Sequence, residues 1–360
     1  MKSRILTLLT AMTLFAALAT PLQTSARVSH NKIITFDVSG AGTSAGQGTF
    51  AIPLNDWNLI SGWYIDADNV YHGFLRNPNG TITTFDPTGS TGTGAFSLND
   101  WWATTGYYLD AYGACHGFLR NPNGNITTFD PTGSTCTVSL DINVFGAIAG
   151  EYYDANGVIH GFLLTPYGKI ISFDVLGAGT GANQGTFPYA ATCLNFAGTI
   201  VGGYIDGNNV QHGFLRKPNG TIITFDPTGS TATFAWTMND KGEIAGNYND
   251  ANGASHGFVR SPKGVITKFD VPGAGTGSGQ GTFAYANNLE GTIDGGYIDA
   301  NGVQHGFVRS PKGVITTFDV PGAGTGSGQG TIPQVINLEG AIDGYYIDAN
   351  GVAHGFLRLP

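Results

Sequence analysis

The chain is short of charge and of basic residues, and each shortage excludes a class of partner. Only 11% of its residues are charged, and 16 Lys and Arg stand against 25 Asp and Glu, for a net charge of −9. Because contact with a phosphate backbone requires a basic surface, the composition argues against a nucleic-acid partner. The same acidity disfavours binding to anionic lipid.

Long apolar segments are also scarce, and the one apolar run lies near the N-terminus, from Ile5 to about Leu18, behind Lys2 and Arg4. A charged start, a short apolar stretch and small residues at 24–26 are typical of a signal peptide, so we predict that residues 1–26 are removed. No later segment resembles a spanning helix, and no membrane insertion is expected. We expect the mature chain, residues 27–360, to be secreted, either outside the cell or into the periplasm.

Cysteine is the third scarce residue. Cys115, Cys136 and Cys193 can form at most one internal disulfide in an oxidising compartment. Cys115 lies near a turn and Cys136 in the connection that leaves the same repeat, so we predict the pair Cys115–Cys136. Sequence alone does not determine connectivity, and a bridge to Cys193 stays open as an alternative.

What the sequence does contain is repetition. His-Gly-Phe and Phe-Asp both recur at steps of 44 to 52 residues, a period typical of propeller blades. The unit from Thr282 to Val320 contains four short runs rich in aromatic and β-branched residues. Turns such as Asp-Ala-Asn-Gly and Ser-Pro-Lys-Gly separate these runs and are typical of hairpins with a glycine bulge. The pattern predicts antiparallel units of four strands.

The two ends of the chain predict how the units close. Residues 32–38 form a lone fourth strand, and residues 353–358 form a third strand that lacks its fourth. Pairing the two would remove both sheet edges. We therefore predict an all-β, seven-bladed β-propeller of four-stranded antiparallel blades, one domain over residues 27–360, in which the N-terminal strand completes the last blade.

A row of Tyr, His and Asp is predicted to cross each unit. Counting through the bulged turns places Tyr297 opposite His305 and His305 opposite Asp319, close enough to hydrogen-bond. The rows are Tyr64–His72–Asp86, Tyr108–His116–Asp130, Tyr152–His160–Asp174, Tyr204–His212–Asp226, Tyr248–His256–Asp270, Tyr297–His305–Asp319 and Tyr346–His354–Asp37.

Two interpretations of these rows compete. The three residue types together suit proton transfer or metal ligation. A polar network that fixes strand register is the interpretation we favour, because a single active site does not require identical copies in every unit. The turn carboxylates, such as Asp250 and Asp299, supply one ligand each where calcium needs six or more oxygens, so we expect them to cap their turns. Neither a metal nor a cofactor is predicted.

Asn-x-x-Gly, Gly-x-Tyr and His-x-Phe follow one another in succession along essentially the whole mature chain. In this order the motifs resemble the extracellular HAF-repeat family of bacterial proteins, named for a His-Ala-Phe core that reads His-Gly-Phe in every copy here. The resemblance implies an extracellular location and a repeat architecture. It implies no reaction and no catalytic residues.

The copies differ most at the turn between the first and second strands. Where others read Asn-x-x-Gly, the first two read Asn-Asp-Trp-Asn at 55–58 and Asn-Asp-Trp-Trp at 99–102. Trp57, Trp101 and Trp102 would lie on one face of neighbouring blades, where the indoles, with Asp56 and Asp100, would stack on and hydrogen-bond a sugar. The alternative is that the indoles pack between blades, because large aromatic side chains are mostly buried.

Glu151, Asp294 and Asp343 also depart from their equivalents, and paired carboxylates can hydrolyse glycosides. Nothing in the sequence brings two of them together, so no catalytic residue is assigned. The favoured function is a secreted, non-catalytic propeller that binds an extracellular glycan or protein. A carbohydrate-active lyase or hydrolase and a purely structural surface protein are the alternatives.

Overall fold

The computed structural model describes residues 32–189 and 192–360, and the regular structure in these ranges is all β-strand. The predicted signal peptide lies outside the described residues. In chain order the strands are β1 (Ile33–Phe36), β2 (Gly48–Leu54), β3 (Ile60–Ile65), β4 (Tyr71–Arg76), β5 (Ile82–Phe85), β6 (Gly92–Leu98), β7 (Thr104–Leu109), β8 (Cys115–Arg120), β9 (Ile126–Phe129), β10 (Cys136–Ile142), β11 (Ile148–Tyr153), β12 (Ile159–Leu164), β13 (Ile170–Phe173), β14 (Gly185–Pro188), β15 (Ile200–Ile205), β16 (Gln211–Arg216), β17 (Ile222–Phe225), β18 (Ala232–Met238), β19 (Ile244–Asn249), β20 (Ser255–Arg260), β21 (Ile266–Phe269), β22 (Gly281–Asn287), β23 (Ile293–Ile298), β24 (Gln304–Arg309), β25 (Ile315–Phe318), β26 (Gly330–Ile336), β27 (Ile342–Ile347) and β28 (Ala353–Arg358).

These strands associate in antiparallel groups of four. In group 1, β2 pairs with β3, β3 with β4 and β4 with β5. The same order recurs in groups 2 to 6, which begin at β6, β10, β14, β18 and β22. In group 7, β26, β27 and β28 are followed by β1, which pairs with β28 through Phe36 opposite Gly355. We call the members of each group its first to fourth strands.

Turn chemistry sets the register within a group. In the turn between the second and third strands of group 6, Asp299 Oδ1 accepts the N–H groups of Asn301 and Val303, both at 2.9 Å. Gly302 completes the turn with a φ of +82°, a conformation that a residue with a Cβ rarely adopts. The turn carboxylate therefore caps its own backbone, as expected from the sequence.

The core lies between neighbouring groups. The Phe of every His-Gly-Phe is fully buried, and its ring meets the fourth-strand Phe of the preceding group edge-on, at centroid distances of 5.9 to 6.3 Å. The pairs are Phe36–Phe74, Phe85–Phe118, Phe129–Phe162, Phe173–Phe214, Phe225–Phe258, Phe269–Phe307 and Phe318–Phe356. The first pair joins β1 of group 7 to group 1.

Two glycines make room for this packing. Gly306 lies opposite Phe318, and a Cβ at this position would lie 2.6 Å from the Phe318 ring. Gly281 opens a first strand with a φ of +120°, and a Cβ there would lie 2.0 Å from the carbonyl oxygen of Ser255 in the preceding group. A side chain fits at neither position, so only glycine allows these close approaches.

Cys115 of β8 and Cys136 of β10 form a disulfide that links groups 2 and 3. The third cysteine, Cys193, is a buried free thiol, and burial raises its pKa well above the ordinary value. In the described part of the chain, no helix combines the length and the apolar character that crossing a membrane requires.

Removing β1 tests its place in group 7. A chain that begins at residue 40 should leave the β28 edge unpaired and lose both the contact of the partly buried Phe36 with Phe74 and the buried side chain of Val38, so it should be less stable. We expect a lower urea midpoint of unfolding, measured by fluorescence. A synthetic peptide of residues 32–38 should restore it, whereas the same peptide with Phe36→Ala should not. An unchanged midpoint after the deletion would contradict the pairing.

Candidate binding site: a cavity framed by the first-strand turns

Asparagines hold together the turns between first and second strands, which we call the first-strand turns. Asn55 Oδ1 accepts the N–H groups of Trp57 and Leu59 within its own turn. Its Nδ2 donates to the backbone oxygen of the equivalent asparagine in the next group. Such hydrogen bonds, 3.0 to 3.3 Å long, run from Asn55 to Asn99, Asn99 to Asn143, Asn143 to Asn195, Asn239 to Asn288, Asn288 to Asn337 and Asn337 to Asn55.

The first-strand turns frame a cavity of about 260 Å³. Each group contributes the end of its first strand, or the chain just before its turn, together with the turn asparagine, as Leu54 and Asn55 do in group 1. The lining is mixed, with apolar side chains such as Ile142 and Met238 beside amides and carboxylates. It includes four aspartates and no Lys, Arg or His: Asp56, Asp100, Asp141 and Asp240.

Trp57, Trp101 and Trp102 lie in the first-strand turns of groups 1 and 2, beside this cavity. Their side chains are 65%, 68% and 41% exposed, respectively. The alternative in which the indoles pack between neighbouring repeats is therefore wrong. Burial of an aromatic side chain is decided by what packs against it, and the described residues leave about two thirds of Trp57 and Trp101 and two fifths of Trp102 exposed.

Trp102 is also held in an unusual backbone conformation. Its φ is +67°, at a position where Gly146 and Gly242 have φ values of +81° and +80°. A left-handed conformation costs a residue with a Cβ roughly 1–2 kcal/mol. Strain of this kind tends to cluster at binding sites, so Trp102 marks the rim of the cavity as a functional candidate.

Asp56 and Asp100 are fixed by hydrogen bonds to neighbouring turns. Asp100 Oδ1 accepts the N–H of Asp56 at 3.2 Å, and Asp56 Oδ1 accepts the N–H of Leu338 at 2.8 Å. Burial raises the pKa of Asp100, and the nearby charge of Asp56 raises it further. Of the five residues proposed from the sequence, Asp56 and Asp100 therefore line the cavity, whereas the three tryptophans lie in the same turns but outside the lining.

The Tyr, His and Asp rows form at the opposite end of the second strands from these turns. Tyr297 lies opposite His305 with ring centroids 4.8 Å apart, and His305 Nδ1 lies 3.0 Å from Asp319. The Nδ1 contacts span 2.7 to 3.0 Å in the pairs His72–Asp86, His116–Asp130, His160–Asp174, His212–Asp226, His256–Asp270, His305–Asp319 and His354–Asp37.

The contact between Tyr and His differs from the expected hydrogen bond, because the two rings stack instead. Centroid distances of 4.8 to 5.2 Å recur in the pairs Tyr64–His72, Tyr108–His116, Tyr152–His160, Tyr204–His212, Tyr248–His256, Tyr297–His305 and Tyr346–His354. Side chains in directly opposite strand positions stand side by side, which favours face contact between flat rings.

A second carboxylate, which sequence reasoning missed, faces the other side of each imidazole. Nε2 of His116 lies 3.6 Å from Asp110, the residue that caps the adjacent turn. The hydrogen bond that His116 donates to the Asp130 carboxylate raises the pKa of His116 against the opposing effect of burial, and the charges of Asp130 and Asp110 raise it further. The available signal was an aspartate six residues before the histidine of every His-Gly-Phe. Each imidazole is thus held on three sides, as a register-fixing network requires.

Glu151, Asp294 and Asp343 do not form an accessible pair. Asp294 and Asp343 occupy equivalent positions in groups 6 and 7 and are both 0% exposed, with no hydrogen bond to either carboxylate oxygen of either residue. Burial raises the pKa of both well above the ordinary value. Glu151, in group 3, lies 3.5 Å from the hydroxyl of Tyr153, and burial raises its pKa to about 7. Among residues 32–189 and 192–360, no three His, Cys, Asp or Glu side chains are grouped to hold a metal ion.

Comparison with known proteins gives the fold. No family model matches the chain, and no curated protein does. Among solved structures, the BP39L lectin from Burkholderia pseudomallei is 11% identical, with a TM-score of 0.52 over 91% of this chain and 95% of the lectin. The lectin is a β-propeller. This chain therefore has the β-propeller fold.

Two further solved structures are similar to this chain over part of their own length. Puromycin hydrolase is 10% identical, with a TM-score of 0.51 over 87% of this chain and 52% of that one. TolB from Acinetobacter baumannii is 10% identical, with a TM-score of 0.46 over 84% of this chain. The propeller spans 64% of TolB's length and about half of the hydrolase.

The two carboxylates around His116 predict how its pKa and its contribution to stability respond to mutation. Because the folded-state pKa is raised, the protonated form stabilises the fold fully below the unfolded pKa of about 6.5, and this stability is lost as the pH rises through the folded value. Asp130→Asn should lower the pKa of His116, measured by NMR titration of the imidazole, and reduce stability at pH 6 by less than about 1 kcal/mol at this partly exposed site. Asp68→Ala, in an exposed turn of another group, is the control. An unchanged pKa would contradict the assignment.

The buried carboxyls of Asp294 and Asp343 predict a second pH effect. The unfolded chain ionises them above about pH 4 while the folded chain keeps them protonated, so stability falls as the pH rises toward their raised pKa values. Alanine occupies the equivalent position in group 5, as Ala245. Asp294→Ala and Asp343→Ala should each raise the free energy of unfolding at pH 8 by about 1–3 kcal/mol, and by less at pH 4, in urea titrations. If the variants are stabilised by the same free energy of unfolding at pH 4 and at pH 8, the two carboxyls are not kept protonated by burial.

Proposed function

We propose that the chain is a secreted, non-catalytic propeller of seven blades, closed by β1 in the last blade, that binds an extracellular glycan at the cavity. Closure is supported by contacts between the two ends of the chain. The strand pairing of β1 with β28, the hydrogen bond from Asn337 to Asn55 and the contact between His354 and Asp37 all join group 7 to its neighbours. Secretion and membership of the HAF-repeat family are parts of the same proposal.

The observation that carries the glycan assignment is the exposure of Trp57, Trp101 and Trp102. They belong to the same turns as Asp56 and Asp100, which line the cavity. Flat aromatic rings pack against the apolar faces of sugar rings, and nearby carboxylates accept hydrogen bonds from sugar hydroxyls. Asp56 and Asp100 stand at the same rim, held in place by backbone N–H groups. One protein with this fold, BP39L, is a lectin, so the fold is compatible with such a function.

The carboxylates weighed for catalysis give the enzymatic alternative no comparable support. A hydrolase needs two carboxyl groups that reach one glycosidic bond. Asp294 and Asp343 are sealed from solvent, and Glu151 belongs to another group. Binding without turnover is therefore the function we propose.

Replacing the three indoles tests the binding site. Each aromatic contact contributes about 0.5–1.5 kcal/mol beyond the area it buries, so the triple variant W57A/W101A/W102A should weaken binding to the preferred glycan by more than ~10-fold. Binding is measured on a glycan array with the wild-type protein and then by calorimetry with the best ligand. Tyr112→Ala removes an exposed aromatic ring from a turn at the other end of β7 and should leave the affinity unchanged.

A single variant separates binding from folding at the same rim. Trp102→Gly places the residue found in most other first-strand turns at this positive φ, so it should raise the free energy of unfolding by about 1 kcal/mol while it weakens glycan binding. If the triple variant binds every glycan as the wild type does, the proposed site is wrong.

A further inference from the structure

The floor of the cavity contains a buried carboxylate with no counter-ion. Asp141, on β10, is 4% exposed and lines the cavity. Its Oδ1 accepts the hydroxyl of Ser97 at 2.8 Å, and its Oδ2 accepts the N–H of Leu194 at 2.7 Å. These donors are neutral, and within the described residues no Lys, Arg or His makes an ion pair with this carboxylate. Burial raises the pKa of Asp141, as expected for an uncompensated charge.

One group builds this part of the floor differently from the others. Ten residues separate Gly185 from Asn195 in group 4, whereas seven separate Gly281 from Asn288 in group 6. Leu194, near the end of this segment, donates its N–H to Asp141. Thr192, which lines the cavity, has its Oγ1 2.7 Å from Oγ1 of Thr237. The cavity therefore has one polar side that the repeat pattern alone would not produce.

The aspartates in the first-strand turns around the cavity carry the same negative charge as Asp141 inside it. Asp56, Asp100 and Asp240 stand in the first-strand turns, and the cavity lining contains no basic side chain. Lys241 occupies the turn position that Trp57 and Trp101 hold in groups 1 and 2, and like them it lies next to the lining rather than in it, so it offsets one of these negative charges. A concave surface lined by charges of one sign concentrates the field and attracts ligands of the opposite sign. Exposed indoles at this rim add a second attraction for a cation, through their ring faces.

We propose that the glycan bound at this face is an amino sugar, whose ammonium group enters the cavity and pairs with Asp141 while Trp57 and Trp101 stack on the sugar rings. The inference rests on the proposed glycan-binding function and adds the chemical class of the ligand. A cationic ligand supplies the counter-ion that the cavity lacks, which a neutral or acidic sugar does not. Three charges at the rim then steer the ligand into the cavity.

Two matched oligosaccharides test this inference by calorimetry at low salt: a β-1,4-linked glucosamine tetramer and its N-acetylated counterpart. The wild-type protein should bind the glucosamine tetramer ~10-fold more tightly or better, and added salt should reduce that preference. Asp141→Asn keeps the shape of the side chain and removes its charge, so it should bring the two affinities close to each other. Asp294→Asn, a buried carboxyl outside the cavity lining, should leave the ratio unchanged.

The outcomes separate this inference from the function on which it rests. Equal affinities for both tetramers in the wild type, or an unchanged preference in Asp141→Asn, would overturn the amino-sugar assignment and leave glycan binding standing. If W57A/W101A/W102A binds both tetramers with the wild-type affinity, the proposed site itself is wrong. If circular dichroism shows that Asp141→Asn does not fold, the exposed rim pair D56N/D100N replaces it. That pair should lower the preference and its salt dependence, and an unchanged preference would count against the inference.

Discussion

Each contact between neighbouring repeats depends on one packing arrangement, the third-strand Phe set edge-on against the fourth-strand Phe of the preceding group. The ring of Phe307 is fully buried by Phe269, and Arg309 lies over the same Phe269 ring, its guanidinium carbon 4.8 Å from the centroid. The arrangement requires that the residue between His and Phe be glycine, because a Cβ at Gly306 would collide with Phe318. His-Gly-Phe therefore combines in three consecutive positions an imidazole that fixes the register, a glycine that leaves room for the fourth-strand Phe ring, and a core phenylalanine.

This packing brings equivalent turns side by side, and the asparagine hydrogen bonds between them convert a repeated sequence into a regular frame. Within that frame the groups need not be identical. Trp102 replaces a turn glycine, and group 4 has extra chain before Asn195. Asp141 occupies a position where groups 6 and 7 have the core residues Ala286 and Val335. Our proposal assigns the function to these departures, since a feature that serves stability must recur in every repeat whereas a feature that serves one ligand need not.

Much of the candidate site could be predicted from the spacing of residues in the sequence. Counting residues through the hairpin turns placed His305 beside Asp319, and comparison of equivalent turns identified Trp57 and Trp101. Both predictions succeed because they use only residue spacing along one or two strands. The contact of Asp110 with His116 was missed, since it depends on the direction in which a turn side chain points. The asparagine hydrogen bonds were missed because asparagine is an ordinary turn residue, and its recurrence after every first strand was the signal.

The sequence by itself determined the strands, the turns between them and the register of each hairpin, because Gly, Pro, Asn and Asp act on the backbone within a few residues. Tertiary structure alone decided which side chains are covered. The indoles of Trp57 and Trp101 are exposed, whereas the carboxyls of Asp294 and Asp141 are buried, against the usual preference of both residue types. Burial depends on surfaces brought together from distant parts of the chain, and no local pattern records which surfaces those are.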